Sequence, residues 1–69
     1  MLNLIVNGEK RAAALRTIPE LLQHEQVPEA HWQSIAVACN GRVITRSTWD
    51  QFQLSNGDAI EIVKPFVGG

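Results

Sequence analysis

The last residues of the sequence, Phe66-Val67-Gly68-Gly69, carry the group whose chemistry follows most directly from residue type. We expect Gly69 to end the protein, so that an α-carboxylate, ionised at neutral pH, lies at the tip of a diglycine. Glycine has no Cβ and adopts either sign of φ, so Gly68-Gly69 fits a narrow channel as an extended ribbon. A carboxylate becomes a good electrophile only after activation, most simply by ATP, which converts it into an acyl-adenylate. The tail is therefore typical of a substrate for the active site of another enzyme.

The alternative is that the diglycine is only a disordered chain end, as many termini are. The segment before it, residues 59–64, predicts a strand with Lys64 at the root of the tail. We therefore expect a folded domain over residues 1–65 and a flexible tail over residues 66–69. In the tail, Phe66, Val67 and Gly68 are the residues that we expect a partner to recognise beside Gly69.

Composition excludes several classes of protein. Six Lys/Arg residues against seven Asp/Glu residues argue against a nucleic-acid binder. No apolar run approaches the roughly 20 residues that span a bilayer, and the N-terminus lacks the basic region of a signal peptide. At 69 residues with a single cysteine, Cys39, the chain is one domain without an internal disulfide or a cysteine-based metal site. We expect a soluble cytoplasmic protein with neither nucleic acid nor membrane as a partner.

Turn residues and periodicity in the first half predict a hairpin and then a helix. Residues 2–6 alternate with the period of a half-buried strand. Asn7-Gly8 predicts a type I′ turn, which needs positive φ at both central positions, and residues 9–15 form the return strand. The capping box Thr17-Ile18-Pro19-Glu20 then begins a helix that ends near Gln26.

The second half predicts three further strands, over residues 35–39, 42–44 and 59–64, with a tight turn at Asn40-Gly41. Residues 27–34 are predicted as a loop, and residues 46–51 as a turn or one loose helical coil. The first and last strands are the most apolar, so both should be central in the sheet. One main helix on one face of a mixed sheet of four to five strands is an α+β arrangement, the β-grasp or ubiquitin-like fold.

This arrangement leaves the second face of the sheet without a helix. Strand alternation places Ile5, Val63 and the small side chains Ala36 and Ala38 on that face. We expect a protein-docking surface there, with Lys64 beside it at the root of the tail.

Other side chains with reactive or binding potential fit structural roles better. Cys39 lies in an alternating apolar strand and is expected in the core, since free cysteine is among the most buried residue types. Trp32 and Trp49 are expected to anchor a thin core. The sequence contains no Ser/His/Asp set, paired carboxylates or phosphate-binding loop, so we predict that the protein is not an enzyme. Solvated positions are expected for His24, His31 and Lys10-Arg11.

Six segments, in this order and at this length, form a specific combination: residues 1–8, the helix of Thr17 and Leu21-Leu22, residues 36–41, residues 46–49, residues 56–63 and residues 66–69. Together they resemble ThiS, the sulfur-carrier family of bacterial thiamine biosynthesis, over essentially the whole chain. The sequence departs from the family at Thr45, where members often have proline. It also has Lys64-Pro65, which stiffens the approach to the tail.

The resemblance implies a cycle in which partner enzymes act on the chain as a protein cosubstrate. A ThiF-type adenylating enzyme would activate the Gly69 carboxylate with ATP, and a sulfur-donating persulfide protein would then displace AMP. The resulting thiocarboxylate would donate sulfur to the thiazole ring built by a ThiG-type thiazole synthase. No cofactor would be bound by the chain, since the activating enzyme uses the ATP and the sulfur donor.

Two alternatives stay open. A MoaD-type small subunit of molybdopterin synthase shares the fold and the diglycine but gives its sulfur to a pterin. The segment Arg46-Ser47-Thr48-Trp49, the C-terminal ending and the short length favour ThiS. A noncovalent ubiquitin-like interaction module, by contrast, would use the open sheet face and leave the tail inert.

Overall fold

The computed structural model describes residues 1–64, so the predicted tail with Phe66, Val67, Gly68 and Gly69 lies outside the described residues. The helical elements are the α-helix α1 (Ile18–His24) and two 3₁₀ helices, Glu29–Ser34 and Arg46–Thr48. The strands are β1 (Leu2–Val6), β2 (Glu9–Ala13), β3 (Ala36–Cys39), β4 (Arg42–Ile44) and β5 (Ala59–Val63).

The five strands form one sheet in the order β2-β1-β5-β3-β4. β1 and β5 run parallel, whereas the other neighbouring pairs are antiparallel. The first and last strands of the chain are therefore inside the sheet, as predicted, and the hairpin partners β2 and β4 form its edges. The mixed sheet with one main helix confirms the β-grasp fold.

Both predicted asparagine–glycine turns are confirmed. φ is positive at each central residue: 51° and 82° at Asn7 and Gly8, and 53° and 85° at Asn40 and Gly41. Asparagine tolerates the left-handed region better than most residues with a side chain, and glycine enters it without a steric cost. The turn chemistry therefore fixes both hairpins locally.

The predicted capping box begins α1. The Glu20 backbone N–H donates to Thr17 Oγ1 (3.4 Å), and Glu20 Oε1 accepts from the Thr17 backbone N–H (3.2 Å). Pro19 lies in the first turn, where its missing N–H breaks no helical hydrogen bond. This end of the helix is therefore specified by four consecutive residues.

The helix ends at His24, two residues before the predicted end, because Gln26 takes a left-handed φ of 61°. The Gln26 and Val27 backbone N–H groups donate back to the carbonyls of Gln23 (3.0 Å) and Leu22 (2.9 Å). This pattern is a Schellman motif, in which the left-handed position is usually glycine.

The core lies between α1 with its flanking segments and one face of the sheet. Trp32 and Trp49 pack edge to face, with ring centroids 6.4 Å apart and planes at 68°. Their indole N–H groups donate to the carbonyls of Val27 (3.0 Å) and Ile44 (2.9 Å), so both rings are buried without an unpaired donor. Their predicted core role is confirmed. Within residues 1–64, the 14 buried hydrophobic residues are Leu4, Val6, Leu15, Ile18, Leu21, Leu22, Val27, Trp32, Val37, Cys39, Trp49, Leu54, Ile60 and Ile62.

Three further expectations need correction. Residues 29–34 form a 3₁₀ helix that carries the buried Trp32, where a loop was predicted. The return strand ends at Ala13 instead of residue 15, because the chain leaves the sheet to bury Leu15 and reach the helix cap. Lys10 is exposed as predicted, but Arg11 is half-buried and pairs with Glu9 (2.8 Å) and Glu25 (3.1 Å), which connects β2 to the end of α1.

The left-handed Gln26 gives a stability prediction. A left-handed conformation costs an L-residue about 1–2 kcal/mol, and glycine at this position removes that cost. The greater conformational entropy of glycine in the unfolded state offsets about 0.4–1 kcal/mol of the stabilisation. We therefore expect Gln26→Gly to raise the free energy of unfolding by about 0.5–1 kcal/mol in urea denaturation. The control is Gln23→Gly at an exposed position inside α1, which should lower stability by about 1 kcal/mol. Equal destabilisation by both changes would contradict the prediction.

Candidate functional site

The described structure ends at the root of the predicted tail. β5 ends at Val63, and the exposed Lys64 follows it as the last described residue. Of the predicted site residues, Ile5, Val63 and Lys64 can therefore be placed, whereas Phe66, Val67, Gly68 and Gly69 lie outside the described part. What the structure adds is the strand from which the tail begins and the surface beside that strand.

The face of the sheet opposite α1 is here called the open face; it comprises Asn3, Ile5, Lys10, Ala12, Ala36, Ala38, Val43, Ala59, Glu61 and Val63. Burial alternates along β5: Ile60 and Ile62 are in the core, and the other three residues of the strand are exposed. Ile5 on β1 and Val63 on β5 are 41% and 56% exposed, as the predicted alternation requires. Both therefore lie on the predicted face.

The register shows which open-face residues are neighbours. Ile5 is level with Ala59, whereas Val63 lies opposite Ala36 at the other end of β5. Glu61 lies between these two positions, opposite Ala38. Ile5 and Val63 thus share a face without touching as one cluster, and a carboxylate separates them.

Val43 belongs to the open face but was not predicted there. It is 72% exposed and lies opposite Ala38 on β3. The strand Arg42–Ile44 is too short to show an alternating pattern, so its sequence alone does not decide which side Val43 faces. The register with β3 decides it: Val43 is paired with Ala38, and directly opposite residues lie on the same face of the sheet.

Small side chains make part of the open face flat. Ala36 and Ala59 are exposed and Ala38 is half-buried, so a partner surface can approach the backbone of β3 and β5 closely. Glu61 is the charged residue beside these alanines, and Lys10, opposite Ile5 on the edge strand β2, is the cation on the same face. A partner that covers this face must give Glu61 a cationic or hydrogen-bonding group, because an unpaired buried carboxylate is costly.

Two asparagine side chains hold β5, one near each end. At the start of the strand, Asn40 Oδ1 accepts from the Ala59 backbone N–H (2.9 Å), and Asn40 Nδ2 donates to Asp58 Oδ1 (3.0 Å). Near the other end, Asn7 Oδ1 accepts from the Ile62 backbone N–H (2.8 Å), and Asn7 Nδ2 lies 3.4 Å from the Ile62 carbonyl oxygen. The strand that leads to the tail is thus fixed through both Asn-Gly turns. The sequence predicts the turns but not these contacts.

Cys39 is in the core, as predicted, with 4% of its surface exposed. Burial, together with the nearby Asp58 carboxylate, raises the pKa of its thiol to about 11. The thiolate is the nucleophilic form, so a thiol that stays neutral near pH 7 is a poor carrier of sulfur. His24 and His31 are both exposed, also as predicted. Across residues 1–64, no three metal-ligating side chains come together, and no helix there is long and apolar enough to cross a membrane.

The shifted thiol leads to a prediction about alkylation and pH. At about pH 8.5 iodoacetamide should alkylate Cys39 at least about 100-fold more slowly in the folded protein than in the urea-unfolded chain. The folded state holds the thiol proton more tightly than the unfolded state, so the protonated Cys39 thiol adds to the free energy of unfolding. This contribution is complete below pH 9 and is lost as the pH rises through 11. Mass spectrometry of timed samples measures the rate, and equal rates in the two states would contradict the burial of Cys39.

Two solved structures from Geobacter metallireducens are similar to this chain. A crystal structure of the thiamine biosynthesis protein ThiS is 31% identical, with a TM-score of 0.79, and the match covers 99% of this chain and 100% of that one. An NMR structure of a thiamine biosynthesis protein is 34% identical, with a TM-score of 0.74, and the match covers 99% and 87% of the two chains. No curated protein matches the chain.

The comparison with protein families gives one result that covers almost the whole sequence. The model of the ThiS family matches residues 4–69, which include the last three residues of β1, the other four strands and the diglycine. The resemblance seen in the sequence is thereby confirmed. The chain belongs to the ThiS family.

Proposed function

We propose that this protein is a sulfur carrier of thiamine biosynthesis and acts as a protein cosubstrate of partner enzymes. The observation that carries the proposal is the ThiS family match, which extends through Gly68-Gly69. The similarity to two thiamine biosynthesis structures over 99% of the chain supports it. The reactive group is the Gly69 carboxylate, which the sequence places six residues after the end of β5.

The chemistry begins with activation of the carboxylate. A ThiF-type enzyme joins a Gly69 carboxylate oxygen to the α-phosphate of ATP, and pyrophosphate leaves. The terminal sulfur of a persulfide then attacks the acyl carbon and AMP leaves. Cleavage of the sulfur–sulfur bond by a second thiol gives the thiocarboxylate, and the thiol is oxidised to a disulfide in that step. A ThiG-type synthase then takes the sulfur for the thiazole ring.

The described residues supply recognition in this scheme. The open face, with Ile5 and Val63 exposed on a surface flattened by Ala36, is proposed to dock the activating enzyme. Lys64 directly follows Val63 of this face, at the root of the tail, and is proposed to contact the same partner. Phe66, Val67 and Gly68 are proposed to guide the carboxylate into a channel that only glycine can enter at its end.

The thiamine names of the two similar structures favour the thiazole pathway over a MoaD-type role in molybdopterin synthesis. The thiocarboxylate form separates the two pathways directly. Incubation with a ThiG-type synthase should consume it, whereas the large subunit of molybdopterin synthase should not. The reverse result would assign the chain to the pterin pathway.

The tail gives the first prediction for this function. Adding one residue after Gly69, or removing Gly69, should abolish adenylation without changing the fold. One residue moves the carboxylate by about 3.5 Å, and a misplacement of even 1 Å can cost about 100-fold in rate. ATP–pyrophosphate exchange with a ThiF-type enzyme measures the step, and intact mass after addition of a sulfur source detects the thiocarboxylate. Normal exchange by the extended chain would refute the proposal, and circular dichroism supplies the control for folding.

A second prediction separates docking from folding. Ile5→Glu places a charge on the open face and should lower the affinity for the activating enzyme at least about tenfold, or roughly 1.4 kcal/mol. Its circular dichroism should remain native, because Ile5 is 41% exposed. The neighbouring Leu4 is 2% exposed, so Leu4→Glu should unfold the protein by burying an unpaired carboxylate. Isothermal titration with a ThiF-type enzyme measures the affinity. Unchanged binding by folded Ile5→Glu would remove the open face as the docking surface.

A further inference from the structure

The open face carries two charges of opposite sign. Lys10 lies on the edge strand β2, directly opposite Ile5 of β1, and Glu61 lies on the middle strand β5, opposite Ala38 of β3. Both charged residues are exposed. The face therefore has a positive edge and a negative centre. Its other members are uncharged: Asn3, Ile5, Ala12, Ala36, Ala38, Val43, Ala59 and Val63.

The two charges are too far apart to neutralise each other. Because Ile5 is level with Ala59, Glu61 lies two strands across and two residues along the sheet from Lys10. With about 4.8 Å between strands and about 3.3 Å per residue, the two Cα atoms are about 12 Å apart. This separation exceeds the Debye length of about 8 Å at physiological ionic strength. No ion pair within residues 1–64 includes Lys10 or Glu61, so each charge is left for a partner to match.

A partner that covers this surface must satisfy both charges, because a charge buried without a counter-charge is costly. Ala38 and Ala59 have side chains of a single carbon, so they do not shield the Glu61 carboxylate from above. An arginine can bind such a carboxylate through two parallel hydrogen bonds, and a lysine can bind it as a point charge. Lys10 requires a carboxylate in return. Between the two charges, Ile5 is 41% exposed and offers an apolar contact.

We propose that Lys10 and Glu61 orient the activating enzyme on the open face: the enzyme presents a carboxylate to Lys10, a basic side chain to Glu61 and an apolar side chain to Ile5. This proposal rests on the function proposed above, in which the open face docks that enzyme. Complementary charges across an interface fix its register and disfavour wrong arrangements. An enzyme docked with the opposite orientation would place like charges together at both positions. The apolar residues of the face alone do not make this distinction.

Charge reversal at one site and then at both tests the orientation. Lys10→Glu and Glu61→Lys should each weaken binding of a ThiF-type enzyme at least about tenfold, because each places like charges together. The double variant restores the net charge of the natural chain but reverses the direction of the charge pair. Because the two sites are about 12 Å apart, the two losses should add, to about 100-fold. Isothermal titration measures the affinity. Recovery of binding in the double variant would overturn the proposal, since net charge alone would then explain the single losses.

A matched control lies on the α1 side of the sheet. Glu29 is an exposed carboxylate in the first 3₁₀ helix, and Glu29→Lys changes the net charge by the same amount as Glu61→Lys. It should weaken binding less than about threefold, because charges more than a Debye length from an interface are largely screened. Glu61→Gln keeps the shape of the side chain and should cost about fivefold, since the basic group of the enzyme loses its counter-charge. This variant decides the point if a reversal unfolds the chain in circular dichroism, and unchanged affinity in it would overturn the proposal.

A second copy of the chain is the competing occupant of the open face. In a two-fold dimer, Lys10 of each copy could pair with Glu61 of the other. The double reversal would preserve that pairing, whereas each single reversal would break it. Sedimentation should show a monomer at the concentrations of the titration; a dimer that survives only in the natural chain and the double variant would overturn the proposal.

Pyrophosphate exchange separates this proposal from the carrier function. If the natural chain binds the enzyme but supports no exchange, the carrier function fails, and the affinities of the variants still decide the role of Lys10 and Glu61. If the natural chain is adenylated and both single reversals bind normally, only the orientation by charge fails. A natural chain that does not bind the enzyme would overturn both.

Discussion

The fold depends on the way in which β5 is held in the middle of the sheet. Two strands pair with it, and two asparagine side chains, Asn40 and Asn7, bind its backbone at Ala59 and Ile62. Each asparagine also occupies the first left-handed position of a tight turn, so one residue meets a local and a long-range requirement together. The Asn7–Ile62 hydrogen bond is partly buried, and a buried polar group left without a partner costs about 1–3 kcal/mol, a large share of a stability that is about 5–15 kcal/mol for whole domains. The turns and the central strand are therefore stabilised as one unit.

The register of β5 also determines what the open face can bind. Ile60 and Ile62 are buried in the core, while Glu61 and Val63 are exposed on the opposite side. Because strand side chains alternate with a period of two, a shift of one residue would bury Glu61 and expose both isoleucines. The contacts that fix the register thus fix the chemistry of the surface as well. The proposed docking surface is a consequence of core packing and needs no separate structural element.

Features specified by neighbouring residues could be predicted from the sequence. The turn at Asn7-Gly8 and the capping box at Thr17 depend on the chemistry of two to four consecutive positions, and apolar alternation located β1, β3 and β5. The contact of Asn7 with Ile62 was beyond such reasoning, because it joins residues 55 positions apart. The left-handed Gln26 was missed because no glycine marks it, and Arg11 because its partner Glu25 lies on another element. Local sequence patterns therefore specify the turns, the cap and the strands, whereas the side chains that connect distant elements leave no local pattern.

Under the proposed function, a chain that reacts at its terminus must also keep its own thiol out of sulfur transfer. Cys39 is the single cysteine of the sequence, and burial with the nearby Asp58 carboxylate raises the pKa of its thiol to about 11. Attack on an acyl-adenylate or a persulfide requires a thiolate, so the buried thiol competes poorly at neutral pH. A more acidic or more exposed thiol at this position would form mixed disulfides with the persulfide donor and divert sulfur from Gly69. Under the proposed function, the core around Cys39 therefore serves selectivity as well as stability, because it suppresses a nucleophile that the cycle does not use.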